Sequence, residues 1–355
     1  MTESSSEPER VERRSSPGWW SSRLGLPGLS AYLDRFPVPT GKGAWVQALG
    51  GALLVMLLFE ACTGLLLFFY YRQELPHASV SNIVEEVRYG WLIRSLHRTG
   101  AHATVALALA HAATTFIRRA FLTPRELTWW TGGLLGLAVV AFAYTGAILP
   151  WDQSSLYAAQ VGTTLTESIP GLGDMLASIL RGGATIGQPT VQRAFALHVG
   201  VVPSFFLLIA ALHVYLVHTH GLQGARLDAN PTTKTLRSFL PHAAVAWLVL
   251  LNVVVVAAAL APPALEPAAD LLAPPTGAAR PAWYFMALFQ LARTSALGGS
   301  GATAVLALFG TSAVLIAAPW WAGGAHGWRG PKSVIAVGLA LALGVLALTF
   351  AGYGG

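Results

Sequence analysis

GWLIRSLHRTGAHATVALALAHAATTF, residues 90–116, decides the architecture. The stretch exceeds the ~20 mostly apolar residues that one membrane-crossing helix needs. Yet it carries His97, His102 and His111. Ionisable side chains inside a span are costly and usually mark function. His97 and His111 are 14 residues apart. At ~100° and ~1.5 Å per residue they share a helix face to within about 40° and stand ~21 Å apart along the axis.

A second stretch repeats the pattern. VQRAFALHVGVVPSFFLLIAALHVYLV, residues 191–217, carries His198 and His213, and His218 follows it. The first two are 15 residues apart, which is about 60° off a common face and ~22 Å of rise.

Working outward, seven segments qualify as spans: about 45–71, 90–116, 128–149, 191–217, 242–260, 302–321 and 333–350. The apolar stretch 283–291 is too short to cross and follows Pro281, so it reads as a re-entrant or interfacial helix. Of the 355 residues, 54% are hydrophobic and 11% charged. Soluble domains carry about 25% charged residues; this chain has enough only for the ends of a bundle. The fold class expected is an all-α membrane protein.

Fourteen of the 22 lysines and arginines fall on one side of these spans, among them Arg10, Arg13, Arg14, Lys42, Arg118, Arg119, Arg226 and Arg329. The other side has eight, matched by eight acids that include Glu85, Asp152 and Glu266. The positive-inside rule puts the N-terminus in the cytoplasm. The basic residues are interleaved with apolar spans, which excludes a nucleic-acid patch. The divisions expected are a cytoplasmic polar tail over 1–40 ending in a short surface helix, a four-helix unit over 41–220, a cytoplasmic linker over 221–241 and a three-helix unit over 242–355.

The lone cysteine, Cys62, rules out an internal disulfide and a cysteine-held metal or cluster. It reads as a small buried hydrophobe. No Cys-x-x-Cys-His is present for covalent haem.

The chain enters both histidine-bearing spans from the same side. His97 is therefore level with His198, and His111 with His213. Two matched pairs suit two stacked b-type haems, each iron held between two imidazoles. The alternative is a set of histidines bonded between helices, and His102, off the shared face, is left with that role. Gly50 and Gly64, and Gly132 and Gly146, repeat the 14-residue interval on the first and third spans. A missing side chain lets something large approach the backbone, so they read as facing the same haem planes. Close helix packing is the other explanation.

GWLIRSLH (90–97), PRELTW (124–129) and LPWDQ (149–153), together with the histidine spacings, resemble cytochrome b of the bc-type complexes, above all the chloroplast-type branch. There a four-helix, two-haem subunit is followed by a separate three-helix one; here the two are joined near 221–240. The resemblance assigns His97 and His198 to a low-potential haem near the positive side, with Gly64 and Gly146. It assigns His111 and His213 to a high-potential haem near the cytoplasm, with Gly50 and Gly132. Arg94 matches an arginine that pairs with a haem propionate; a snorkelling arginine is the alternative.

Two departures follow. The family oxidises quinol beside a Pro-Glu-Trp-Tyr motif, where the glutamate accepts a proton. This chain has Pro281-Ala282-Trp283-Tyr284. Alanine accepts no proton, so Asp152, Tyr284 or a water chain takes that role, or oxidation is altered. The chloroplast-type branch also binds an extra haem through a cysteine; here that position is Ala48, and no covalent haem is expected. His218 matches a histidine that hydrogen-bonds quinone in the mitochondrial-type branch; the alternative is a loop-end histidine in water. Glu60 is a further acid within a span, suited to a proton relay or to a hydrogen bond with a neighbour.

The reading is a di-haem cytochrome b subunit of a quinol-oxidising complex, the membrane part of a quinol:cytochrome c-type oxidoreductase. Quinol binds beside Gly146, Pro281, Trp283 and Tyr284, and quinone near His218. The resemblance implies a Rieske iron–sulfur protein and a c-type cytochrome as partners, a homodimer, and a bacterial inner membrane. The runner-up is a di-haem conduit without bifurcated quinol oxidation; the third reading is a cofactor-free transporter or structural bundle.

Overall fold

The computed structural model describes residues 21, 23–40, 44–222, 233–272, 280–294, 301–323 and 331–354. Arg10, Arg13, Arg14, Lys42, Arg226 and Arg329 lie outside them, as do residues 223–232 of the linker. Seven helices among the described residues are long and apolar enough to cross a membrane. They are α2 (Gln47–Phe68), α4 (Gly90–Ile117), α5 (Glu126–Ile148), α8 (Gln188–His220), α9 (Leu236–Leu260), α11 (Gly301–Gly323) and α12 (Pro331–Gly354). Their backbones satisfy themselves internally, as hydrocarbon requires. Leu58, Leu137, Leu207 and Leu208 stand exposed on their outer surfaces, as lipid-facing residues do. Cys62 is exposed there too, which corrects the expectation that it is buried: a small apolar thiol facing lipid carries no desolvation cost.

Shorter helices occupy the ends: α1 (Leu26–Arg35), α3 (Pro76–Glu85), α6 (Gln153–Glu167), α7 (Gly173–Arg181) and α10 (Trp283–Arg293). The surface helix expected at the end of the tail is α1. The long connection between the third and fourth spans is built from α6 and α7. Asp152 starts α6: its Oδ1 accepts from Ser155 N at 2.9 Å, Ser155 Oγ at 2.7 Å and Ser154 Oγ at 3.0 Å. Such a cap satisfies donors the helix cannot. Gly182, at φ 73°, closes α7 in the left-handed conformation that glycine adopts without strain.

The fifth span begins at Leu236, six residues before the sequence suggests. Thr235 caps it, its hydroxyl accepting from Ser238 N, and Pro241 is absorbed inside the helix.

Helices α2, α4, α5 and α8 form the first bundle, centred on Val105, Ala138, Val139, Ala143 and Phe206. The later helices pack on its outside. Ser95 Oγ donates to Ala258 O at 2.6 Å, joining α4 to α9. Trp247 Nε1 donates to Ala48 O at 3.0 Å, joining α9 to α2. Pro319 inside α11 has no N–H and so frees the carbonyl of Leu315, four residues back. Trp129 Nε1 donates to that carbonyl at 2.8 Å, and Trp130 Nε1 to Ile316 O at 3.0 Å. An antiparallel ribbon, β1 (Pro37–Pro39) with β2 (Thr233–Thr235), ties the segment after α1 to the segment before α9.

Candidate functional site

The rings of His97 and His198 face each other across the first bundle, centroids 6.2 Å apart and planes 84° apart. Two metal–imidazole bonds of about 2 Å, with the ring radius added at each end, span roughly this distance. His111 and His213 lie near enough at the second level to interact electrostatically.

A π-helical turn, Leu197–Val201, holds His198. Such a turn takes up one residue more than an α turn. The 15-residue interval from His198 to His213 therefore acts as 14, and the 60° offset computed for a straight helix shrinks towards the offset between His97 and His111. Pro203 stands two residues beyond this turn; its ring would clash with the carbonyl four residues back in a regular α-helix, and the widened turn supplies the room.

Each of the four glycines faces one histidine. A Cβ added to Gly146 would stand 2.8 Å from His198 Cε1, and one added to Gly64 would stand 3.1 Å from His97 Cε1. For Gly132 and His213 the distance is 3.3 Å, and for Gly50 and His111 it is 3.6 Å.

Just before three of these glycines stands a threonine. Thr63 Oγ1 is 3.0 Å from His97 Nδ1, Thr131 Oγ1 3.0 Å from His213 Nδ1 and Thr145 Oγ1 3.1 Å from His198 Nδ1. Each hydroxyl donates its own hydrogen to the carbonyl four residues back, of Phe59, Leu127 and Ala141 respectively. Its oxygen is then the acceptor for Nδ1–H. That fixes the tautomer and leaves Nε2 with a free lone pair, as a metal ligand requires. Gly50 is preceded by Leu49, and His111 Nδ1 is buried with no hydrogen-bond partner among the described residues. These threonines went unread in the sequence; the Thr-Gly dipeptide recurring at 63–64, 131–132 and 145–146 is the signal that finds them.

Glu60 reaches the same ring as Thr63. Its Oε2 is 3.0 Å from His97 Nδ1.

The donor set fits b-type haem: paired imidazoles with Nδ1 held at three of four positions, and backbones bared opposite each ring. The Arg94 guanidinium is buried and donates to Pro263 O at 2.7 Å and Ala264 O at 3.4 Å. It fastens the loop that follows α9.

That loop also meets the segment carrying Pro150–Gln153. Gln153 N donates to Pro267 O at 3.1 Å and Ala269 N to Trp151 O at 3.0 Å. Beside it, Trp283, Tyr284 and Phe285 pack against the core of the first bundle. The ring of Tyr284 lies 5.6 Å from that of His102, whose Nδ1 is buried without a partner among the described residues. Burial pushes the Tyr284 phenol above its ordinary range, so it keeps its proton. Pro281 and Ala282 precede this group, and Ala282 caps α10 without a side-chain bond.

At the far end of α8, His218 Nδ1 donates to Val214 O at 3.0 Å, which leaves Nε2 as an acceptor. Its ring stacks on Tyr32 of α1, centroids 5.6 Å apart and planes 2° apart, with Phe36 alongside. The Tyr32 hydroxyl is buried with no partner among the described residues. Arg237 of α9 holds α1 there through Asp34 and Ser30.

A family model described as cytochrome b/b6/petB matches residues 38–221, more than half of the chain. The chain belongs to the cytochrome b/b6 family. It is 34% identical over 208 residues to cytochrome b6 of Porphyra purpurea, covering 58% of this chain and 96% of that one. It is 32% identical over 303 residues to a cytochrome bc complex cytochrome b subunit of Chlorobaculum thiosulfatiphilum, covering 83% of this chain and 71% of that one. A solved structure titled "Hyperthermophilic respiratory Complex III" has the same fold, with a TM-score of 0.77 at 23% identity, covering 94% of this chain and 90% of that one. The length fits a b6-like unit joined to a three-helix unit. As a family member the chain is a multi-pass membrane protein of electron transport, the cytochrome b of a bc-type oxidoreductase complex, and the family's cofactor is b-type haem.

Proposed function

We propose that this cytochrome b holds two b-type haems and serves two quinone sites, one beside Trp283–Phe285 and one beside His218. The observation that carries this reading is the facing pair His97 and His198, 6.2 Å apart at their centroids, with Nδ1 of each ring bonded so that Nε2 is left free. His111 and His213 form the second pair. When bound, the haems supply one-electron carriage across the membrane.

The chain's own residues do the rest. His97, His198, His111 and His213 fix the positions of the carriers, and Gly64, Gly146, Gly50 and Gly132 admit their planes. Trp283, Tyr284 and Phe285, with Pro281 and Gly146, form the wall against which quinol is oriented. The Tyr284 phenol oxygen accepts a hydrogen bond from a quinol hydroxyl; as the quinol proton moves onto that oxygen, the phenol's own proton leaves to water, so the side chain relays one proton and ends protonated as it began. Asp152 acts through the segment it caps. On the other face, Nε2 of His218 accepts from the hydroxyl of a reduced quinone, while Tyr32 flanks the ring. The N-terminus is cytoplasmic, as the basic residues imply, which puts quinol oxidation on the opposite side of the inner membrane of a bacterium. A Rieske iron–sulfur protein and a c-type cytochrome take the electron that leaves, in a homodimeric complex.

The test is spectroscopic and then kinetic. The purified protein should bind two b-type haems per chain, and inhibitor-sensitive quinol oxidation should require a Rieske partner. Fewer than two haems overturns the first claim. Normal turnover after removal of the Rieske protein overturns the second and favours a di-haem conduit without bifurcation, a reading that Ala282 at the glutamate position supports by itself.

A further inference from the structure

The four candidate ligands differ in what holds Nδ1. His198 and His213 each have one threonine hydroxyl. His111 has no partner among the described residues. His97 has a hydroxyl and, in addition, the carboxyl group of Glu60, with Oε2 at 3.0 Å. Glu60 comes from α2, lies mostly out of solvent, and its Oε1 is buried without a hydrogen-bond partner among the described residues. It fits because Gly100, three residues after His97 on α4, has no side chain: a Cβ there would overlap Oε1. The notch and the acid are matched.

A carboxylate is a stronger acceptor than a hydroxyl. An acceptor on Nδ1–H makes the imidazole a more electron-donating ligand, which favours the ferric state of a bound iron. A negative charge close by in a low-dielectric interior adds to this, because the ferric centre carries one more positive charge than the ferrous. The two levels are thus graded: carboxylate and hydroxyls at His97 and His198, one hydroxyl and one bare nitrogen at His111 and His213.

We propose that Glu60 is a positioning residue that acts through His97 to lower the reduction potential of the haem at the His97–His198 level below what the Thr63 hydroxyl alone would set. The proposal rests on reading those four histidines as iron ligands. It is independent of which quinone is used and of the external partner.

The experiment is an optical redox titration of both haems in the purified full chain at one fixed pH. Glu60→Gln keeps the shape and an accepting oxygen but removes the charge. It should shift the reduction equilibrium of one haem about tenfold towards the ferrous state, ~59 mV for one electron, and leave the other unmoved. Leu49→Thr places a hydroxyl before Gly50, where the other three glycines have one, and should lower the potential of the second haem. Two bound haems with unchanged potentials in Glu60→Gln, or an equal shift in both, overturn the proposal. A wild-type chain without haem would instead remove the reading beneath it, so the two failures are separable.

Discussion

Thr145 and His198 are joined by a 3.1 Å contact between Oγ1 and Nδ1, and the residue after Thr145 is the glycine whose bare Cα faces the same ring. One turn of α5 thus both grips the imidazole and clears space beside it. The same pairing recurs at Thr63–Gly64 with His97 and at Thr131–Gly132 with His213.

Alanine at the four glycines should damage haem binding in a fixed order. Gly146→Ala brings a methyl to 2.8 Å from His198 and forces the ring to move, while Gly50→Ala at 3.6 Å is ordinary contact. Haem content per chain should fall most for Gly146→Ala, less for Gly64→Ala and Gly132→Ala, and least for Gly50→Ala. A reversed order in pigment assays would refute the ring-facing role of these glycines.

Thr145→Val replaces the hydroxyl by a methyl of similar size. His198 loses the acceptor that fixes its tautomer, and losses of such outer partners cost roughly 10–100-fold in metal affinity. Faster haem release from the variant, followed by transfer to an acceptor protein, checks this; Thr349→Val, on a hydroxyl that donates to Val345 O of its own helix, is the control.

His111→Leu should remove one haem and leave the other with its native spectrum. Retention of two haems per chain would show that His111 is no ligand.

Asp152→Ala removes three accepted hydrogen bonds at the start of α6 and should cost about 0.5–2 kcal/mol of stability, the usual range for a lost cap. Asp152→Asn keeps an accepting oxygen and should retain most of the stability and of the quinol oxidation rate. Calorimetry and turnover of the two variants separate a capping role from a proton-accepting one, since loss of turnover in the stable asparagine variant would mark the latter.

The spans and the histidine and glycine intervals were readable because helix periodicity converts spacing directly into facing. The offset of the 15-residue pair was misjudged because a straight helix was assumed; the π turn at Leu197–Val201 depends on how Pro203 is accommodated. Arg94 could not be traced to Pro263 from sequence, since its partners are backbone carbonyls 169 and 170 residues away. The stack of Tyr32 on His218 was equally hidden, because nothing local in either segment encodes a contact between α1 and the last turn of α8. Glu60 was visible as an anomaly, but its partner was not.

The two parts of the chain are fastened at several places besides the segment that links them. Arg94 and Ser95 grip the end of α9 and the loop beyond it. Trp129 and Trp130 grip α11, and the ribbon of residues 37–39 with 233–235 closes the remaining edge. Continuity of the polypeptide therefore adds little to cohesion. What it supplies is supply itself: each ribosome delivers both parts in one-to-one ratio and in the same membrane neighbourhood, so assembly needs no search for a mate.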